Sequence, residues 1–94
     1  MARGIPVASG AGDVQAISGS ATLHGYSVRE SAGTPAAAAL VLRDGTQASD
    51  PPRCFIELQA NEARDVQLPG VRFANGVFVD REAGTSEICL FVGD

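Results

Sequence analysis

Beyond its first dozen residues, this chain is punctuated. Roughly every eight to twelve residues a short β-branched or apolar run ends in Gly, Pro, Asn or Asp. No window carries an apolar stripe at helical spacing. Runs this short cannot bury a helix face, but each is long enough for one strand whose side chains alternate between core and solvent. The expected fold is therefore all-β: a small single-domain antiparallel sandwich or barrel of about seven to eight short strands. Strands are predicted near 14–18, 21–30, 36–43, 53–59, 62–68, 71–74, 76–81 and 86–92. The run from Ala36 to Leu42 is rich in helix-forming alanine, but Asp44-Gly45 closes it with a turn signal and both neighbours are strand-like. Residues 1–13, mostly Gly, Ala, Ser and Pro with little periodicity, read as a flexible N-terminal arm, leaving 14–94 as the folded domain.

The turns are written in specific residues. Asn75-Gly76 suits a tight hairpin, since both residues tolerate the left-handed conformation. Arg81 to Thr85 reads as a longer hairpin loop with Gly84 at positive φ. Pro69-Gly70 divides two runs, and Ser49-Asp50-Pro51-Pro52 forms a rigid connection outside any ladder.

Alternation assigns faces. Cys54, Ile56 and Leu58 share one side of their strand, opposite Arg53, Phe55 and Glu57. Val77 and Val79 oppose Phe78 and Asp80. Ile88, Leu90 and Val92 oppose Glu87, Cys89 and Phe91. Phe55, Phe78 and Phe91 thus fall on faces otherwise polar. Either these strands are covered on both sides, or the three rings form an apolar patch for a neighbouring subunit. Ile5 and Val7, the apolar residues of the arm, are further interface candidates. So is Arg43, whose fork at a strand end could clamp a carboxylate on another strand or subunit.

Size and charge exclude several functions. Ninety-four residues suffice for one domain, and a chain this short buries only about 60–65% of its unfolded surface, so docking or oligomerisation is a natural supplement. The 45% hydrophobic content is too high for a disordered chain. Seven basic residues, all arginine, are scattered among eleven acidic ones for a net charge of −4, so no basic stripe exists to neutralise phosphates and no nucleic-acid partner is expected. No stretch approaches the ~20 apolar residues of a membrane helix, and the opening MARGIPVASG lacks an apolar signal core; no membrane role and synthesis in a cytoplasm are expected. The two cysteines, Cys54 and Cys89, lie in apolar runs and read as reduced core thiols in preference to a disulfide.

Reactive constellations are missing from the sequence. His24 is the sole histidine; a Ser/His/Asp arrangement would require Ser27 or another serine beside it, without a G-x-S-x-G elbow. One histidine and two distant cysteines supply no zinc tetrad, and no calcium-loop pattern occurs. Gly10-Ala11-Gly12 continues into no phosphate-binding signature. Neither catalysis, a metal nor a cofactor is expected.

Several signatures occur in a recognisable order: Leu23-His24-Gly25-Tyr26-Ser27-Val28-Arg29-Glu30-Ser31-Ala32-Gly33, an alanine-rich strand, Leu42-Arg43-Asp44-Gly45-Thr46, Val71-Arg72-Phe73, Gly76-Val77-Phe78-Val79-Asp80 and Gly84-Thr85. This order resembles small β-rich virion proteins encoded beside the structural genes of tailed phages of actinobacteria. It covers residues 21–92, and a lysine-free, Ala/Gly/Arg-rich composition suits a GC-rich genome. The resemblance implies a capsid decoration or cementing protein on the outer surface of the major capsid protein shell, or on another virion protein, working as a homo-oligomer with a trimer favoured. Its location would be the virion capsid surface after synthesis in the host cytoplasm. A tail, baseplate or head–tail adaptor is the alternative within the same class. A carbohydrate-binding module is a second alternative, for which no Trp and a single Tyr offer few stacking platforms.

Overall fold

The structure, a computed structural model, describes residues 3–93. Met1, Ala2 and Asp94, at the ends of the expected arm and domain, lie outside the described residues. Eight strands follow in order: β1 (Arg3–Gly10), β2 (Val14–Ser18), β3 (Ala21–Glu30), β4 (Ala38–Asp44), β5 (Pro52–Leu58), β6 (Ala63–Phe73), β7 (Gly76–Ala83) and β8 (Ser86–Gly93). They form two antiparallel four-stranded sheets, β1-β8-β3-β6 (sheet A) and β2-β7-β4-β5 (sheet B). The all-β sandwich expected from the sequence is what forms.

The order has a simple origin. The β4–β5 hairpin is the tip of one long antiparallel ribbon whose successive rungs pair β3 with β6, β2 with β7, and β1 with β8. Rungs alternate between the sheets, so the ribbon is rolled over itself and its inner faces meet. Two four-stranded sheets reached this way constitute a jelly roll. The interior holds Leu23, Tyr26 and Val28 of β3, Leu40 and Leu42 of β4, Ile56 and Leu58 of β5, Phe73 of β6, Val77 and Val79 of β7, and Ile88, Leu90 and Val92 of β8. Every inward assignment made by alternation on β7 and β8 is met by a buried side chain.

Four expectations need correction. Residues 3–10 are no arm: β1 pairs with β8, matching Ile5 to Leu90 and Val7 to Ile88 on the inner face. A run of Gly, Ala and Ser is weakly β-prone, yet an apolar residue at every second position suffices once β8 offers an edge. The runs 62–68 and 71–74 are one strand, because Leu68, Pro69 and Gly70 bulge out of β6 without ending its pairing to β3. Two strand starts also move: residues 36 and 37 precede β4, which begins at Ala38, and Pro52, expected outside any ladder, opens β5 opposite Arg43. Finally, Asn75-Gly76 and Arg81–Thr85 do not close hairpins. Both carry the chain from one sheet to the other, joining β6 to β7 and β7 to β8. Gly84 has the expected positive φ, 72°, and an added Cβ would come within 2.5 Å of the Ala37 carbonyl, so the residue fits only without a side chain.

Two carboxylates organise the loops. Glu30, at the end of β3, accepts from the backbone N–H of Asn61 at 2.8 Å and of Ala32 at 2.7 Å. Asp44 accepts from the Asn75 N–H at 2.8 Å and from Arg53 at 3.3 Å. The N–H groups of Asn61 and Ala32 hold Glu30 below the usual carboxylate range, and the Asn75 N–H does the same for Asp44 against a smaller opposing effect of burial. In the unfolded chain both bind protons more readily. Their stabilisation is therefore complete above the unfolded pKa values of about 4 and is lost as pH falls through the lower folded values. Thermal melts by circular dichroism should show a falling Tm from about pH 4.5 downward. Glu30→Gln should flatten that slope; an unchanged slope would assign acid sensitivity elsewhere.

Candidate functional site

Outside the core, the molecule presents two broad sheet faces of different character. On the outer face of sheet B, Phe55 (β5) stands opposite Val41 (β4), and Val41 opposite Asp80 (β7); one step along, Arg43 lies between Pro52 and Phe78. Phe55 is 73% exposed, whereas Phe78 is half-buried and Val41 is buried although it faces outward. Arg43 is fully engaged within the chain. Its Nε donates to Asp80 Oδ2 at 2.8 Å, its Nη1 to the Asp50 carbonyl at 3.0 Å, and its Nη2 lies 3.7 Å from Glu82. The clamp expected of Arg43 is thus made to another strand of the same domain. It gives this face an ion-paired centre, one guanidinium between two carboxylates, beside an exposed aromatic ring.

On the outer face of sheet A the side chains are mostly small. One cross-strand row reads Pro6, Cys89, Ser27, Asp65; the next reads Gly4, Phe91, Gly25, Gln67. Two open hollows meet at Ser27. The first, about 520 Å³, runs over Pro6, Ala8, Cys89 and Ala63 and is bordered by the Arg29–Glu87 ion pair (2.7 Å). The second, about 550 Å³, is bordered by His24, Asp65, Gln67 and Phe91. It sits where two irregularities coincide. His24 is an extra residue of β3 relative to β8, and on β6 the three residues Leu68–Gly70 stand opposite His24 alone, two more than β3 has there. Gly25 beneath it could not carry a Cβ, which would lie 2.5 Å from the Val66 carbonyl. Bulges of this kind bend a strand and re-aim its side chains. Pro69-Gly70 was the sequence signal for this hollow, visible only as a break between runs.

The sequence-derived candidates are therefore dispersed. Phe55 and Phe78 share the outer face of sheet B, and Phe91, 38% exposed, lies on the opposite side of the domain, so the three rings form no single patch. Val7 is 4% exposed within the core and Ile5 packs against it, which removes both from any docking surface. Their inward position follows from β1 pairing with β8, as above. His24, Ser27 and Asp65 line one hollow, but among the described residues no hydrogen bond joins any two of them, and a triad needs such contacts between nucleophile, base and acid. No group of three or more potential metal ligands occurs among the described residues. Cys54 and Cys89 are both free: Cys54 lines the inner side of β5, where burial pushes its thiol pKa up, and Cys89 faces outward from sheet A. The expected core placement thus holds for Cys54 alone, since alternation puts Cys89 opposite Ile88 and Leu90.

One residue of consequence reads in the sequence only as the end of the 76–81 strand and the first residue of the loop after it. Arg81 is 8% exposed and points between the sheets. Its Nη2 donates to the Ala8 carbonyl at 2.7 Å and its Nη1 to the Gly12 carbonyl at 3.1 Å, while its backbone N–H donates to Asp13 Oδ1 at 2.9 Å. Burial lowers its pKa, and its Nε is enclosed with no hydrogen-bond partner among the described residues. Arg81 thereby fastens β1 and the β1–β2 connection to β7. The signal existed: the alternation that turns Val77 and Val79 inward turns Arg81 inward too. Compared with family models, curated proteins and solved structures, the chain matches none of them.

Proposed function

We propose that the chain is a non-enzymatic structural protein of a phage virion, a capsid decoration or cementing protein that docks on the major capsid protein through the outer face of sheet B. The observation that carries this reading is Phe55: a large apolar ring, 73% exposed, on an edge strand of the face that also holds Phe78 and the Arg43–Asp80 ion pair. A ring held out on a rigid sheet is the kind of anchor that fills a partner's pocket and dominates binding energy. The two-sheet jelly roll is an architecture that viral capsid domains use among others. The sequence resemblance over residues 21–92 points the same way. Assembly as a trimer, repeated over a shell lattice, would add avidity to modest single contacts.

Light scattering of the purified protein, alone and mixed with undecorated phage heads, tests the reading. A defined oligomer that binds heads stoichiometrically is expected. Phe55→Ser should weaken that binding by about 2 kcal/mol, roughly thirtyfold, with an unchanged Tm because the ring is outside the core. A protein that ignores heads and binds tail fractions would replace the capsid reading with that of a tail or baseplate adaptor.

A further inference from the structure

The hollow around Phe91 is furnished with polar groups the fold does not use. Among the described residues, the side chains of His24, Ser27, Asp65 and Gln67 enter none of the chain's hydrogen bonds or ion pairs, although all four border one hollow. The contrast with the other aspartates among the described residues is direct. Asp13, Asp44, Asp50 and Asp80 each accept a hydrogen bond within the domain. Asp65 accepts none, yet it stands beside Ser27 on the same face and one step from Gln67. The volume, about 550 Å³, is within the roughly 300–1,000 Å³ typical of small-molecule sites.

The chemistry narrows the ligand. Asp65 is the only acidic or basic side chain on the border apart from His24, so phosphorylated, sulfated and sialylated ligands meet an opposing carboxylate without an arginine to offset it. A peptide strand could add only along the open edge of β6, beside the hollow and not over Phe91, because β3 and β8 are interior strands whose ladders are occupied on both sides. An exposed ring beside a carboxylate, an amide and a hydroxyl suits a neutral sugar. The apolar C–H face of a pyranose lies on Phe91, and its hydroxyls donate to Asp65 and exchange hydrogen bonds with Gln67, Ser27 and His24. The hollow is open, and the second one begins at Ser27, so a further sugar unit has room over Pro6 and Cys89.

We propose that the outer face of sheet A binds a neutral hexopyranose oligosaccharide, with Phe91 as the stacking platform and Asp65 and Gln67 as the hydroxyl-binding pair. The site is on the face opposite Phe55 and does not rest on the virion reading.

The test is a ¹H–¹⁵N titration of the full chain with maltohexaose, cellohexaose, mannohexaose and galactohexaose, and with a heparin hexasaccharide as the anionic control. At least one neutral probe should shift the amides of Gly25, Ser27, Gln67 and Phe91 saturably, in the millimolar range. Phe91→Ala and Asp65→Asn should each weaken that binding by about tenfold or more. Both side chains lie outside the core, and the variants' spectra should remain those of the folded domain. Gln47→Ala, in the β4–β5 loop, should bind as the unaltered chain does. Three results would overturn the proposal: no saturable shift with any neutral probe, shifts that persist in both Phe91→Ala and Asp65→Asn, or shifts produced by heparin alone.

Discussion

Deleting residues 1–10 is expected to destroy the cooperative fold. β1 contributes Val7 to the core, packs Ile5 against it, and pairs along β8. Burying a Val or Ile side chain is worth about 1.5–3 kcal/mol, less for the partly covered Ile5. The deletion also removes the Ala8 carbonyl and leaves a buried guanidinium with a single acceptor, the Gly12 main-chain carbonyl. Hydrogen bonds to charged groups contribute about 1.5–3 kcal/mol each. The loss therefore comes to roughly 5 kcal/mol, the lower end of the total stability of a domain this size. It would also turn β8, an apolar interior strand, into an open edge prone to association. Circular dichroism melts and one-dimensional proton spectra should show no cooperative transition and collapsed dispersion. A truncated chain that melts within a few degrees of the full one would restore residues 3–10 to the status of a dispensable arm.

Replacing Arg81 should produce the second-largest loss. Arg81→Ala removes two charge-assisted hydrogen bonds and leaves the Ala8 and Gly12 carbonyls without their side-chain donors. Release of the unpartnered Nε and entry of water into the space offset part of this. A net cost of about 3 kcal/mol is expected. At roughly 4–8 °C per kcal/mol for a domain of this length, Tm should fall by about 12–24 °C. Arg81→Lys keeps the charge but lacks the planar fork that reaches both carbonyls, so it should recover only part of the loss. Hydrogen exchange should locate the damage, with the amides of β1 and the β1–β2 connection losing protection before those of β3 and β4. A variant with an unaltered melt would show that β1 is held by its ladder to β8 alone.

Both expectations concern parts of the molecule that a local reading of the chain places outside the folded domain or in a loop. The local signals were nevertheless good. The limits of β2 and β3 match their predicted ranges, and Ile56, Leu58, Val77, Val79, Ile88, Leu90 and Val92 all face inward as alternation requires. A period of two is a property of neighbouring residues, so it survives whatever the strand pairs with. The exposed position of Phe55 follows from the same rule. The two outward faces could be described residue by residue, but not which residues they bring together.

Pairing was the part that local signals did not contain. Gly84 takes its left-handed conformation whether the strands it joins lie in one sheet or in two, so turn chemistry could not separate a hairpin from a crossing. β1 finds its partner at the far end of the chain, and its Gly- and Ala-rich sequence becomes a strand only because β8 presents an edge there. The hollow of sheet A arises because His24 on β3 and Pro69-Gly70 on β6, far apart in sequence, bulge at one place. What the sequence alone determined was therefore which residues extend and which side chains turn inward, since both follow from local sterics and hydrophobic periodicity. The tertiary structure alone decided strand order, the burial partners of Arg81 and the separation of Phe91 from Phe55, because each depends on contacts closed across most of the chain.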